Sequence, residues 1–210
     1  MRFIMSLLIL AKGFSLGLSM IVPIGSQNSM LLTQGINRNY HLATAGLFIL
    51  YDILLIALGI LGGNLIIATS PLLFTLLTFG GALFLFSYGT ISFKHALFFT
   101  HEKNIVMVQH KSLKIIIITS FIVTFLNPHA YIDTVMVIGS VGGQYQGATK
   151  MYFMIGTMLA SVVWFTSIAI AAATLSPQLS KPTVKRSIDV IIGIVMWFIA
   201  WSLIASWLKS

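Results

Sequence analysis

Apolar residues run along this chain in long blocks interrupted by single charges. Stretches without Lys, Arg, Asp or Glu cover residues 13–37, 53–93, 115–132, 134–149, 151–180 and 190–208. A membrane-crossing helix needs about 20 mostly apolar residues. The 53–93 block is too long for one crossing, and Ser70-Pro71 divides it, because proline does not continue a helix interior. Joining blocks across lone aspartates predicts six helices, over 12–35, 41–68, 71–93, 112–137, 149–175 and 187–208. Gly142-Gly143, and Pro177 with Pro182, mark the last two connections. The expected fold is an all-α integral membrane protein with six transmembrane helices in one transmembrane domain, residues 1–210.

Two of these helices carry an interruption. Pro23 and Pro128 lie 105 residues apart, half the chain, and the same shift carries Asn28 onto Asp133. With three helices per half, the second half enters the membrane inverted. The pattern predicts a 3+3 inverted repeat, halves about 1–105 and 106–210, with broken helices 1 and 4 meeting at a midplane site.

Composition agrees. The 210 residues are 58% hydrophobic and only 8% charged, with mean hydropathy +0.99, whereas a soluble domain is about 25% charged. The net charge of +8 does not point to nucleic acid, because the basic residues lie between apolar blocks rather than on one surface. Arg38, Lys94, Lys103, Lys111, Lys114, Lys181, Lys185 and Arg186 flank connections 1–2, 3–4 and 5–6, against Arg2, Lys12, Lys150 and Lys209 on the other side. Basic loops stay in the cytoplasm, which places both termini outside. Residues 3–11 imitate a signal peptide but lack a small-x-small cleavage site, so they read as the lead-in to helix 1. The absence of cysteine excludes disulfides and thiolate metal sites, and nothing in the pattern asks for a cofactor. Oligomeric state stays open, a homo-oligomer included.

The candidate chemistry lies where polarity enters the apolar blocks. A carboxylate at membrane depth costs roughly 3 to more than 10 kcal/mol, and Asp52 and Asp133 both sit there. In helix 1, Pro23 removes a backbone donor and Gly25 permits unusual dihedrals or close approach, beside Ser26, Gln27 and Asn28. In helix 4, Asn127 is placed to cap a half-helix beginning near Pro128, whose amides would face an anionic group. His129 and Asp133 share a face if that helix continues, with Tyr131 between them. If Asp52 and Asp133 face one cavity, they can bind a cation or share protons. Asp189, four residues after Lys185, reads as an interfacial ion pair. His95, His101 and His110 have no metal-site spacing. Gly13/Gly17, Gly59/Gly63 and Gly139/Gly143 fit small-residue helix packing, and Trp197, Trp201 and Trp207 fit packing and interface anchoring.

These strings resemble a known family. Pro23-Ile24-Gly25-Ser26-Gln27-Asn28 is similar to the Pro-x-Gly-Pro-Gln-Asn string of the lysine/arginine exporters (LysE type), with Ser26 where that string has a second proline. Asn127-Pro128-His129-Ala130-Tyr131-Ile132-Asp133 resembles its Asn-Pro-His-x-Tyr-x-Asp string, and Asp52 fits its other acidic residue. Residues 34–38, 139–143 and 195–200 extend the likeness over nearly the whole chain, closest to the arginine-exporting branch. The resemblance implies an inner-membrane carrier that exports basic amino acids, driven by protons, and importance for Asp52, Asn127, Pro128 and Asp133. The expected substrate is arginine, or lysine. The alternatives are a neutral amino acid of homoserine or threonine type, and a divalent metal, for which two Asp and His129 offer few ligands. An enzyme is not expected: a His129–Asp133 acid–base pair would lack a nucleophile or metal motif beside it.

Overall fold

The computed structural model describes residues 2–23, 25–63, 71–97, 112–127 and 130–207. All regular structure among them is helical: α1 (Arg2–Ile21), α2 (Ser26–Ile36), α3 (His41–Leu58), α4 (Pro71–Leu97), α5 (Leu113–Phe125), α6 (Gly139–Gly143), α7 (Gly147–Thr174), α8 (Ser176–Leu179) and α9 (Pro182–Trp207). A π-helical turn, Gly59–Gly63, extends α3, and a π-helical segment, Tyr131–Ile138, leads into α6. Three described stretches are long and apolar enough to cross a membrane: Ile4–Ile21, His41–Gly62 and Gly147–Thr174.

Several boundaries differ from expectation, each for a local reason. The expected lead-in and the first part of helix 1 form one continuous helix, because no proline stands before Pro23 to end it. The predicted helix 2 turns out of helical geometry at Gly62, whose φ of 119° is a conformation suited to glycine. Residues 64–68 of that prediction lie outside the described residues. The predicted sixth helix starts five residues early, with Pro182 in the first turn, where a missing N–H costs nothing. Ser112 starts α5 by accepting a hydrogen bond from the Ile115 amide at 3.4 Å.

Packing pairs the helices in register. Gly13 lies on the backbone of Phe153, Gly17 on Thr157 and Ala160, and Gly35 on Ala172. Residue numbers rise together along both partners, so α1 and α2 run parallel to α7. The same reasoning makes α3 parallel to the chain beyond the second break: Leu55 packs on Val135, Gly59 on Val135 and Gly139, and Ile60 on Gly142. A Cβ on Gly59 would come within 2.7 Å of the Val135 backbone, so the two π-helical segments meet at a contact only glycine allows. Gly143, by contrast, has open space around it. α4 and α9 run antiparallel, Phe93 on Gly193 and Gly89 on Trp197, with Trp197 stacked on Phe86 at 4.9 Å. A buried cluster of Met30, Leu31, Phe48, Tyr51 and Phe165 joins α2, α3 and α7. These contacts bring both chain breaks, Val22–Gly25 and the stretch after Phe125, to the same interior region.

Candidate functional site

A cavity of about 290 Å³ lies where the two breaks meet. Its wall includes Pro23, Gly25, Ser26, Gln27 and Asn28 from the first break, and Asn127, Ala130, Asp133 and Thr134 from the second. Asp52 and Ile56 of α3 and Phe198 and Ile199 of α9 also line it. Asp52 and Asp133, widely separated in sequence, therefore face one space.

Asp52 is 6% exposed, and donors from two helices hold it. Ser161 Oγ of α7 donates to Oδ2 at 2.9 Å, and Gln27 Nε2 of α2 donates to Oδ1 at 3.4 Å. Gln27 Nε2 also donates to Thr124 Oγ1 of α5 at 3.0 Å. A buried carboxylate needs such partners, since desolvation without them is prohibitive. Asp133 is half-buried and stands in the first turn of its π-helical segment. A π-type segment inside a helix is itself uncommon and concentrates at functional sites.

Asn28 occupies the cavity wall with its amide already committed. Its Nδ2 donates to Ile21 O at 2.8 Å and to Pro23 O at 2.9 Å, and its Oδ1 accepts from Trp164 Nε1 at 3.2 Å. The side chain thus ties the end of α1 to the start of α2. Gly25 departs from expectation. Its φ of −118° is open to any residue, and a Cβ there would meet only Pro23 O, at 4.0 Å. Gly25 is the N-cap of α2 and supplies no side-chain hydrogen bond, so the first amides of this helix have no side-chain cap.

At the second break, Asn127 Nδ2 donates to Ser26 Oγ at 3.3 Å, joining the two breaks directly, and its carbonyl accepts from the Ala130 amide at 3.0 Å. Tyr131 points its hydroxyl back to Phe125 O at 3.0 Å. Pro128 and His129 lie outside the described residues, as do His101 and His110. Among the described residues, no three His, Asp or Glu side chains cluster as a metal site would require. Sequence reasoning missed Ser161, Thr124 and Trp164. The signal for Ser161 was its place four residues after Thr157, on one small, polar face of an otherwise apolar helix.

With this geometry in place, relatives become informative. The profile of the family described as LysE type translocator matches residues 18–206. The chain belongs to the LysE type translocator family. Relatives of this LysE-type chain include the arginine exporter protein ArgO of Klebsiella pneumoniae subsp. pneumoniae, 44% identical over 192 residues, and those of Salmonella paratyphi A and Salmonella typhimurium, each 43% identical. Each alignment covers 91% of both chains. No solved structure matches. As a LysE-type translocator, the protein is a transporter and not an enzyme.

Proposed function

We propose that this chain exports arginine, or lysine, from the cytoplasm in exchange for protons. The observation that carries the reading is the single cavity faced by Asp52 and Asp133 in a LysE-type chain. A guanidinium pairs with a carboxylate through a planar fork of donors. The cargo's own carboxylate would meet the first-turn amides of α2, which a helix N-terminus offers to anions. Ser161 and Gln27 hold Asp52 in place for this contact, and Thr124 holds Gln27. The volume lies at the lower end of the roughly 300–1,000 Å³ usual for small-ligand pockets, in keeping with one amino acid.

Six crossings serve this reading: α1–α2, α3 with its π turn, α4, α5 through α6, α7 and α9. Parallel packing of the first with the fifth and the second with the fourth, and antiparallel packing of α4 with α9, fit alternating crossings. The 105-residue shift carries the start of α2, Ser26, onto Tyr131, where the helix after the second break begins. It also exchanges the first–fifth pairing with the fourth–second, which supports an inverted repeat. We place the basic connections in the cytoplasm of a bacterial inner membrane and the termini outside. A periplasm-dependent reporter fused at Ser210 should be active, and activity only of a cytoplasmic reporter there would reverse the orientation.

Moving one positive charge outward against an interior-negative potential costs about 2.3 kcal/mol per 100 mV, which an inward proton offsets. The test is counterflow in proteoliposomes with labelled arginine, lysine, threonine and homoserine at two pH values. Arginine should exchange at least tenfold faster than either neutral amino acid. Preference for threonine or homoserine would replace the basic-substrate reading with the neutral one.

A further inference from the structure

Two carboxylates give the cavity its charge, and one aromatic ring gives it a flat surface. Phe198 of α9 is the only aromatic side chain among the described residues that line it. Its placement follows from the packing of α9 on α4. Met196 is fully buried there, in a cluster with Ala82, Leu85, Ile192 and Ala200. Trp197 is held three ways: stacked on Phe86 at 4.9 Å, edge-on to Phe93 at 5.0 Å, and donating from Nε1 to Phe86 O at 3.3 Å. These contacts fix the rotation of α9 about its axis. Two residues along a helix turn by about 200°. With Met196 against α4, Phe198 therefore emerges on the far side, where the cavity lies. Trp197 is fully engaged, whereas Phe198 is 70% exposed and pairs with no other ring among the described residues.

The two candidate cargo head groups differ in what such a wall offers them. The five N–H donors of a guanidinium lie in one plane, so carboxylates bind it edge-on and its two faces stay bare. A phenyl ring can cover one of those faces without displacing a hydrogen bond, and the negative face of the ring attracts the cation. An ammonium has no bare face. Its three donors splay in three directions, so a ring beside it takes the place of a hydrogen bond, and it is the more strongly hydrated cation. A neutral side chain gains only apolar contact.

We propose that Phe198 is a specificity-determining residue: the cargo's guanidinium lies against its ring while Asp52 and Asp133 hold the guanidinium edge, and this selects arginine over lysine. The inference rests on the basic-cargo reading above and narrows it from two substrates to one. The cavity suits a single amino acid, so a head group paired with the carboxylates reaches the ring without leaving its site.

The experiment is counterflow in proteoliposomes containing the full chain, with labelled arginine, lysine and threonine, read as KM and maximal flux for each. Phe198→Leu keeps an apolar side chain at this exposed position and removes the ring. It should raise the KM for arginine roughly fivefold to tenfold, the size of a partly desolvated cation–ring contact, and that for lysine less than about twofold. Phe198→Tyr keeps the ring and should hold the KM for arginine within about twofold of wild type. Equal rises for arginine and lysine in Phe198→Leu would make the ring a packing or gating element and overturn the assignment. An unchanged KM for arginine in that variant, or a Phe198→Tyr protein as impaired as Phe198→Leu, would overturn it too. In each of these cases a wild type that exchanges arginine faster than threonine keeps the basic-cargo reading. A wild type that prefers threonine defeats that reading, and the assignment of Phe198 with it, whatever the variants do.

Discussion

The two chain breaks solve the same mechanical problem with different residues. A helix that stops inside an apolar bundle leaves carbonyls without helical partners. At the first break, Asn28 reaches back from α2 to the carbonyls of Ile21 and Pro23. At the second, Tyr131 reaches back to the carbonyl of Phe125, the last residue of α5. The 105-residue shift matches Asn28 with Asp133, and an ionised carboxylate cannot donate to a carbonyl. Because Tyr131 takes over the tie, the position that is structural in the first half carries a charge on the cavity wall in the second. One break thus has its matched side chain tied to the backbone, and the other has it on the cavity wall, where we propose that it meets the cargo.

That division has a sharp consequence for the carboxylates. Asp133→Asn and Asp52→Asn should each lower arginine efflux at least 100-fold while the protein still inserts and is recovered in normal amount. Losing a charge partner for a guanidinium in a low-dielectric cavity is worth several kcal/mol, and each 1.4 kcal/mol is tenfold. Asn28→Gln, at the matching position, should leave much more activity than Asp133→Asn. Wild-type-like efflux from Asp133→Asn would remove the binding half of the comparison.

A second prediction exchanges chemistry at the structural half. Asn28→Asp sets a carboxylate against two carbonyl oxygens and removes both donors. It should lower stability by about 1–3 kcal/mol, the cost of leaving buried acceptors unpaired, read as a fall in the thermal midpoint of the purified protein. Tyr131→Phe removes one hydrogen bond at the other break and should cost about 1 kcal/mol. An Asn28→Asp protein as stable as wild type would mean that the first break is not held by this side chain.

Much of this was legible in the sequence because it follows from local chemistry. Pro23 and the apolar blocks located the first break, and two carboxylates in apolar surroundings located the cavity. Three features were not legible, two of them because partners distant in sequence create them. Asn28 reads as a polar group facing the site, but the hydrogen bond from Trp164, 136 residues away, that fixes its amide has no signal in the sequence. Gly25 reads as a place for unusual dihedrals or close approach, but the chain passes through it in ordinary extended geometry with no close neighbour. Asp189 reads as a surface or interfacial partner of Lys185, and packing of α9 on α4 leaves it buried, a depth that the spacing alone does not reveal. Nor does composition reveal the π-helical course of residues 131–138, which changes which side chains share a face with Asp133.

The smallest effect concerns the support of Asp52 rather than its charge. Ser161 gives Asp52 its shorter hydrogen bond, 2.9 Å against 3.4 Å from Gln27, and Gln27 divides its donors between Asp52 and Thr124. Ser161→Ala should therefore loosen Asp52 without discharging it. The expected result is a threefold to tenfold rise in KM for arginine with a smaller change in maximal flux, in keeping with the roughly 1.5–3 kcal/mol of a hydrogen bond to a charged group, partly recovered by Gln27. Ser161→Thr keeps the hydroxyl and should restore the KM, which a general packing defect in α7 would not allow. If Ser161→Ala left KM unchanged while Gln27→Leu raised it, the longer bond would be the one that positions the carboxylate, and α2 rather than α7 would set its place.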